Sequence, residues 1–132
     1  MKKIMTLFFA VVLVTSAAAG CKKGYQTQKT AGDLSITLSA GSYPLIIGDN
    51  PMTIKITDAS GKAVNDAKVG VRYYMPPMPG MAPMEYTVEG TPKGGDYGFN
   101  ANIAMEGGWR VDVNVMRGDK PSPPITFNVD AR

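Results

Sequence analysis

The sequence predicts an all-β protein, an Ig-like antiparallel β-sandwich of about seven strands, preceded by a signal peptide and a short flexible tether. Three observations predict it. Apolar residues recur at period two in seven separate stretches, the spacing at which one face of a strand meets a core. Clusters of Gly, Asp, Asn and Pro separate those stretches, and no segment repeats its apolar residues at helical spacing. About 100 residues follow the leader and tether, enough to bury one core but not two.

The elements follow in order. Met1-Lys2-Lys3 is cationic, residues 4–14 are uncharged and apolar, and residues 15–20 (TSAAAG) are small. Together they describe a secretory signal peptide over residues 1–20. Its apolar part is shorter than the ~20 residues that a membrane span needs. Ala18-Ala19-Gly20-Cys21 resembles the bacterial lipobox, in which Cys21 is lipidated on sulfur and becomes the new N-terminus. That role accounts for a lone Cys in an exported chain. Residues 21–31 then read as the lipidated Cys and a flexible tether, and residues 32–132 as the sandwich.

Within the sandwich, Leu34, Ile36 and Leu38 form the first alternating set, and Met52, Ile54 and Ile56 the second. Val69, Val71 and Tyr73 are followed by Met84, Tyr86 and Val88, then by Tyr97, Phe99, Ala101 and Ile103. Trp109, Val111, Val113 and Val115 give the longest run, and Ile125, Phe127 and Val129 the last. Turns are expected at Gly48-Asp49-Asn50-Pro51, Asp58-Ala59-Ser60-Gly61, Gly94-Gly95-Asp96 and Gly107-Gly108. Trp109 is expected in the core.

Composition narrows the chemistry. The chain has no His and one Cys, which removes imidazole-based zinc and copper sites, Ser-His-Asp triads, Cys-His nucleophiles and internal disulfides. Its net charge of +3 belongs to the leader and tether, since from Ala31 onward 9 basic residues stand against 11 acidic ones. No basic stripe remains for nucleic acid. Lys22 and Lys23 sit where they would reinforce a lipid anchor against anionic headgroups. Lys22 replaces the Asp that resembles an inner-membrane retention signal, so the periplasmic face of an outer membrane is favoured if the cell is Gram-negative. The chain is expected to be monomeric. It is also expected not to be an enzyme, because it has no His or second Cys and spacing places no pair of carboxylates together.

The most informative stretch is residues 73–84, YYMPPMPGMAPM. Met75, Met78, Met81 and Met84 recur at a spacing of three among four prolines. Along an extended polyproline path, residues three apart lie ~9 Å apart on one edge. Pro79-Gly80 favours a type II turn that brings the Cα atoms of Met78 and Met81 within about 7 Å. The same hairpin sets Met75 opposite Met84. Soft thioether sulfur selects Cu(I), or the similar Ag(I), and needs no deprotonation. Met105 is a further candidate ligand, and Tyr73, Tyr74 or Trp109 a candidate aromatic cap over the ion. The competing reading is that flexible, apolar Met caps the sandwich or docks onto a partner protein.

At these residues the sequence resembles the YtkA-like domain of bacterial envelope proteins. The resemblance is carried by residues 56–64 (ITDASGKAV), 67–69 (AKV), 74–78 (YMPPM), Tyr97 in its Gly-Gly-Asp-Tyr setting, and 105–111 (MEGGWRV), and it covers roughly residues 33–130. It implies an Ig-like sandwich, often tethered in the envelope, and a link to heavy-metal efflux or to assembly of copper-containing oxidases, as in the FixH-like relatives. Members often carry His near the Met loop. This chain has none, which leaves a Met-only Cu(I) site or no site. Two functions follow: a lipid-anchored metal-buffering or chaperone protein serving an efflux or oxidase-assembly partner, or a metal-free envelope domain whose Met-Pro loop docks such a partner.

Overall fold

The computed structural model describes residues 24–132. The expected signal peptide, Cys21, Lys22 and Lys23 lie outside the described residues. Ten strands run in chain order: β1 (Tyr25–Ala31), β2 (Leu34–Ala40), β3 (Gly48–Thr57), β4 (Lys68–Met75), β5 (Met84–Glu89), β6 (Thr91–Lys93), β7 (Asp96–Ile103), β8 (Gly107–Arg117), β9 (Lys120–Pro121) and β10 (Ile125–Ala131). They form two antiparallel sheets, β1-β2-β3-β7-β6 and β10-β8-β4-β5, with β9 paired to β8. All seven alternating stretches are strands, and β1, β6 and β9 are additional.

The alternation explains how the sheets face each other. From the first sheet, Leu34, Ile36, Leu38, Met52, Ile54, Ile56, Tyr97 and Ile103 turn inward; from the second, Val69, Val71, Tyr73, Trp109, Val111, Val113, Phe127 and Val129 do. Intervening polar residues meet water. Burial of each large apolar side chain contributes about 1.5–3 kcal/mol, which offsets the ordering of the strands.

Three local expectations are corrected. Residues 25–31 are not tether but strand β1, paired with β2 in register from Tyr25↔Ala40 to Ala31↔Leu34. An edge strand needs a ladder more than an apolar face, so its polar composition concealed it. Lys29 Nζ donates to Thr126 O and lies 5.6 Å from the Phe127 ring centroid, tying β1 to β10. Gly48-Asp49-Asn50-Pro51 is not a turn but the start of β3, paired with β7 from Gly48↔Ile103 to Pro51↔Asn100. The reversal falls earlier, over residues 41–47, where the Tyr43–Pro44 bond is cis. Buried Asn50 holds it there: its Oδ1 accepts from Ile46 N at 2.9 Å, and its Nδ2 donates to Ile46 O at 2.8 Å. Pro51 lies one residue beyond the last β2 partner, a position that tolerates a missing donor. The expected turn at Gly107-Gly108 is likewise the opening of β8, the reversal occupying residues 104–106. The turn at Asp58 forms as expected, with Asp58 Oδ1 accepting from Ser60 N at 2.9 Å and Lys62 N at 3.0 Å.

The β3–β4 connection is pinned by one side chain. Tyr97 Oη donates to Val64 O at 3.0 Å and accepts from Ala67 N at 2.9 Å. Replacing Tyr97 with Phe keeps the ring but leaves both backbone groups unpartnered. Denaturant unfolding of Tyr97→Phe should show a loss of about 1–3 kcal/mol.

Candidate metal site in the methionine hairpin

The β4–β5 hairpin builds the site. Met75 and Met84 are register partners at the ends of β4 and β5, so the ladder sets one directly opposite the other. Residues 76–83 bridge them. Within that loop Met81 N donates to Met78 O at 3.2 Å, closing a four-residue turn around Pro79-Gly80. Gly80 has φ +80°, the value that the third position of a type II turn requires and that glycine adopts without strain. The two Met pairs are thus stacked along the hairpin, as the placement of Pro79-Gly80 predicts.

All four methionines line one small cavity together with Pro76, Pro77, Ala82 and Pro83. Its volume is about 10 Å³, near the smallest space that admits one water-sized particle. Met75 is almost fully buried, while Met78 and Met81 are 44% and 42% exposed. The lining therefore grades from a fixed inner thioether to two outer ones in contact with water. Prolines stiffen both arms, which reduces the ordering cost of closing on a ligand.

Gly107 seats the inner residue. A Cβ built there would stand 3.0 Å from Met75 Cε, so the methyl occupies the space that a side chain would take. Below lies an aromatic cluster. Tyr73 and Tyr86, one ladder pair inside Met75 and Met84 on the same face, stack with centroids 5.2 Å apart. Trp109 stands 6.3 Å from Tyr73 and 6.4 Å from Tyr86. Tyr86, expected from the sequence as a strand residue in phase with Met84, was not among the aromatic candidates there.

The remaining candidates are placed differently. Met105 is half-buried against the core and does not line the cavity; its carbonyl accepts from Trp109 Nε1 at 3.0 Å. Neither Tyr73 nor Trp109 lines it, because both are buried in the core and support the hairpin from within. Tyr74 is not a cap. Alternation sends it to the opposite face of β4, where the Arg72 guanidinium lies 4.4 Å from its ring centroid. Arg72 also pairs with Glu85 at 2.7 Å and with Asp112 at 3.4 Å, so those carboxylates belong to a cross-strand ion network.

The site carries no titrating group. At the same end, Asp49 accepts from Asn100 at 2.9 Å and Asn102 at 2.8 Å, and these hydrogen bonds hold its carboxyl below the ordinary range. Among the described residues, no group of three or more His, Cys, Asp or Glu is placed to hold a metal ion.

Sandwich and hairpin together define a class, a two-sheet β-domain with a proline-stiffened methionine hairpin at one end. The family model described as YtkA-like matches residues 28–114, from within β1 to within β8. The chain belongs to the YtkA-like family. No curated protein sequence matches the chain. Among solved structures, the soluble domain of PmoD from Methylocystis sp. strain Rockwell is similar, with a TM-score of 0.50 and 13% identity, covering 80% of this chain and 96% of that one. At that identity the likeness is one of fold.

Proposed function

We propose that this protein is a lipid-anchored, non-enzymatic envelope domain that binds Cu(I) or Ag(I) in its methionine hairpin and serves heavy-metal efflux or cuproenzyme assembly. One observation carries the reading: Met75, Met78, Met81 and Met84 line a single cavity of atomic size. Four soft, neutral donors suit a soft monovalent ion and give a divalent one little. Membership of the YtkA-like family adds the expectation of an envelope role in metal handling. The gradation in exposure suits transfer, with the inner thioethers retaining the ion and Met78 and Met81 presenting it to a partner. Exposure of the outer pair also supports the second reading, a docking knob that binds no metal.

The mature chain is titrated with Cu(I) against a colorimetric chelator, beside Met78→Leu/Met81→Leu. Leucine keeps the volume and removes the sulfur. Micromolar or tighter binding is expected in the wild type, roughly tenfold or more weaker in the double variant. Affinity should not change between pH 5 and pH 7, because thioethers do not titrate. A wild type that cannot compete, or a variant that binds equally well, leaves the docking reading.

A further inference from the structure

The topology gathers the start of β1 and the methionine hairpin at one end of the sandwich. Met75 Cε abuts the position of Gly107; Gly107 pairs with Ala131; and Ala131 bridges Leu45. Tyr43 stacks on Tyr25 with centroids 4.2 Å apart, and its hydroxyl accepts from Asp130 N at 3.1 Å. The 41–47 loop, the 76–83 hairpin, the 104–106 turn and the first residue of β1 therefore share this end.

Its surface is unlike that of the other end. Neither the 41–47 loop (GSYPLII) nor the 76–83 loop (PPMPGMAP) contains a charged residue, and the carboxylates at this end, Asp49, Glu106 and Asp130, lie on the flanking strands and the 104–106 turn. Exposed Tyr43, Ile46, Ile47, Met78 and Met81 all lie on these two loops, and at the far end Met116 is the only large apolar side chain so exposed among the described residues. The far-end turns instead carry Asp33, Asp58, Lys62, Asp66 and Asp119. Ile46 and Ile47 are 54% and 56% exposed, side chains that water does not favour.

We infer that this end rests on the phospholipid leaflet that holds the Cys21 lipid, with Ile46, Ile47, Met78 and Met81 entering its headgroup layer. Chain length carries the argument. Two residues separate Cys21 from Gly24, and the three steps between them, at most ~3.6 Å each, span about 11 Å. Because Tyr25 is already in β1, no longer tether can lift the domain clear or let it turn over. Apolar loops without charges suit the headgroup–acyl boundary, and Lys22 and Lys23 lie beside the anchor to meet anionic headgroups. The inference rests on acylation of Cys21 and not on metal binding, so its failure leaves the copper reading intact.

The test uses the acylated mature protein in vesicles of phosphatidylethanolamine and phosphatidylglycerol. Acylation consumes the only native thiol, so Ile47→Cys, Met81→Cys and Met116→Cys each introduce one site for an environment-sensitive fluorophore. Labels at 47 and 81 should be blue-shifted and about fivefold less quenched by aqueous iodide than the label at 116. Equal quenching at all three sites overturns the proposal, as does mass spectrometry showing Cys21 without lipid. Shielding that arises in native membranes but not in pure lipid also overturns it, in favour of a protein partner.

Discussion

Trp109→Ala should cost about 3–5 kcal/mol of folding stability. Trp109 is 1% exposed and sits on β8, between β10 and β4 in the centre of the second sheet. Its ring stands against Tyr73 and Tyr86, and its Nε1 donates to the carbonyl of Met105. Truncation therefore removes a large apolar surface, opens a void beneath the hairpin and frees the 104–106 turn. Domains of this size have total stabilities of about 5–15 kcal/mol, so most of the margin is at stake. At about 4–8 °C per kcal/mol the midpoint should fall by roughly 12–40 °C. Trp109 is the only Trp, so its fluorescence follows the wild type while far-ultraviolet circular dichroism follows both proteins. A loss below about 1 kcal/mol would show that the ring is not the keystone of this sheet.

Gly107→Ala should cost about 2–3 kcal/mol and weaken Cu(I) binding although every thioether remains. Two effects add. Gly107 has φ +132°, a backbone conformation that a Cβ strains. The new methyl would also meet Met75 Cε at 3.0 Å and push it from its seat. The far end of a methionine moves easily, so the backbone strain dominates stability, while the displaced thioether dominates binding. Gly70→Ala, on β4 with nothing within 4 Å of the added Cβ, is the control. It should leave both properties within a few tenths of a kcal/mol. Equal Cu(I) affinity in Gly107→Ala and the wild type would remove Met75 from the ligand set and leave the outer pair.

Much of the fold was legible because burial on one face writes period two into a strand. Trp109, Val111, Val113 and Val115 could be assigned before any partner was known, and all four are buried. The hairpin was legible for another reason: Pro79 and Gly80 encode their own backbone angles, which place Met78 beside Met81 and Met75 opposite Met84. Strand β1 was hidden because an edge ladder is held by backbone hydrogen bonds, which polar side chains do not announce. Gly48-Asp49-Asn50-Pro51 misled because turn-forming residues also suit the first turn of a ladder when a side chain such as Asn50 stabilises the preceding loop. Tyr74 misled because adjacent residues of a strand point to opposite faces.

By itself, the sequence determined the chemistry on offer. A chain with no His and a single Cys offers a soft ion mainly thioethers, and a proline-braced hairpin pairs four of them. Tertiary structure alone decided where that hairpin stands: against Gly107, above the Tyr73–Tyr86–Trp109 cluster, and at the end from which β1 begins. The reason is physical. Local turns follow from neighbouring residues, but the meetings of Tyr25 with Tyr43, of Met75 with Gly107 and of Gly107 with Ala131 follow from strand pairings between residues far apart in the chain, which no local pattern records.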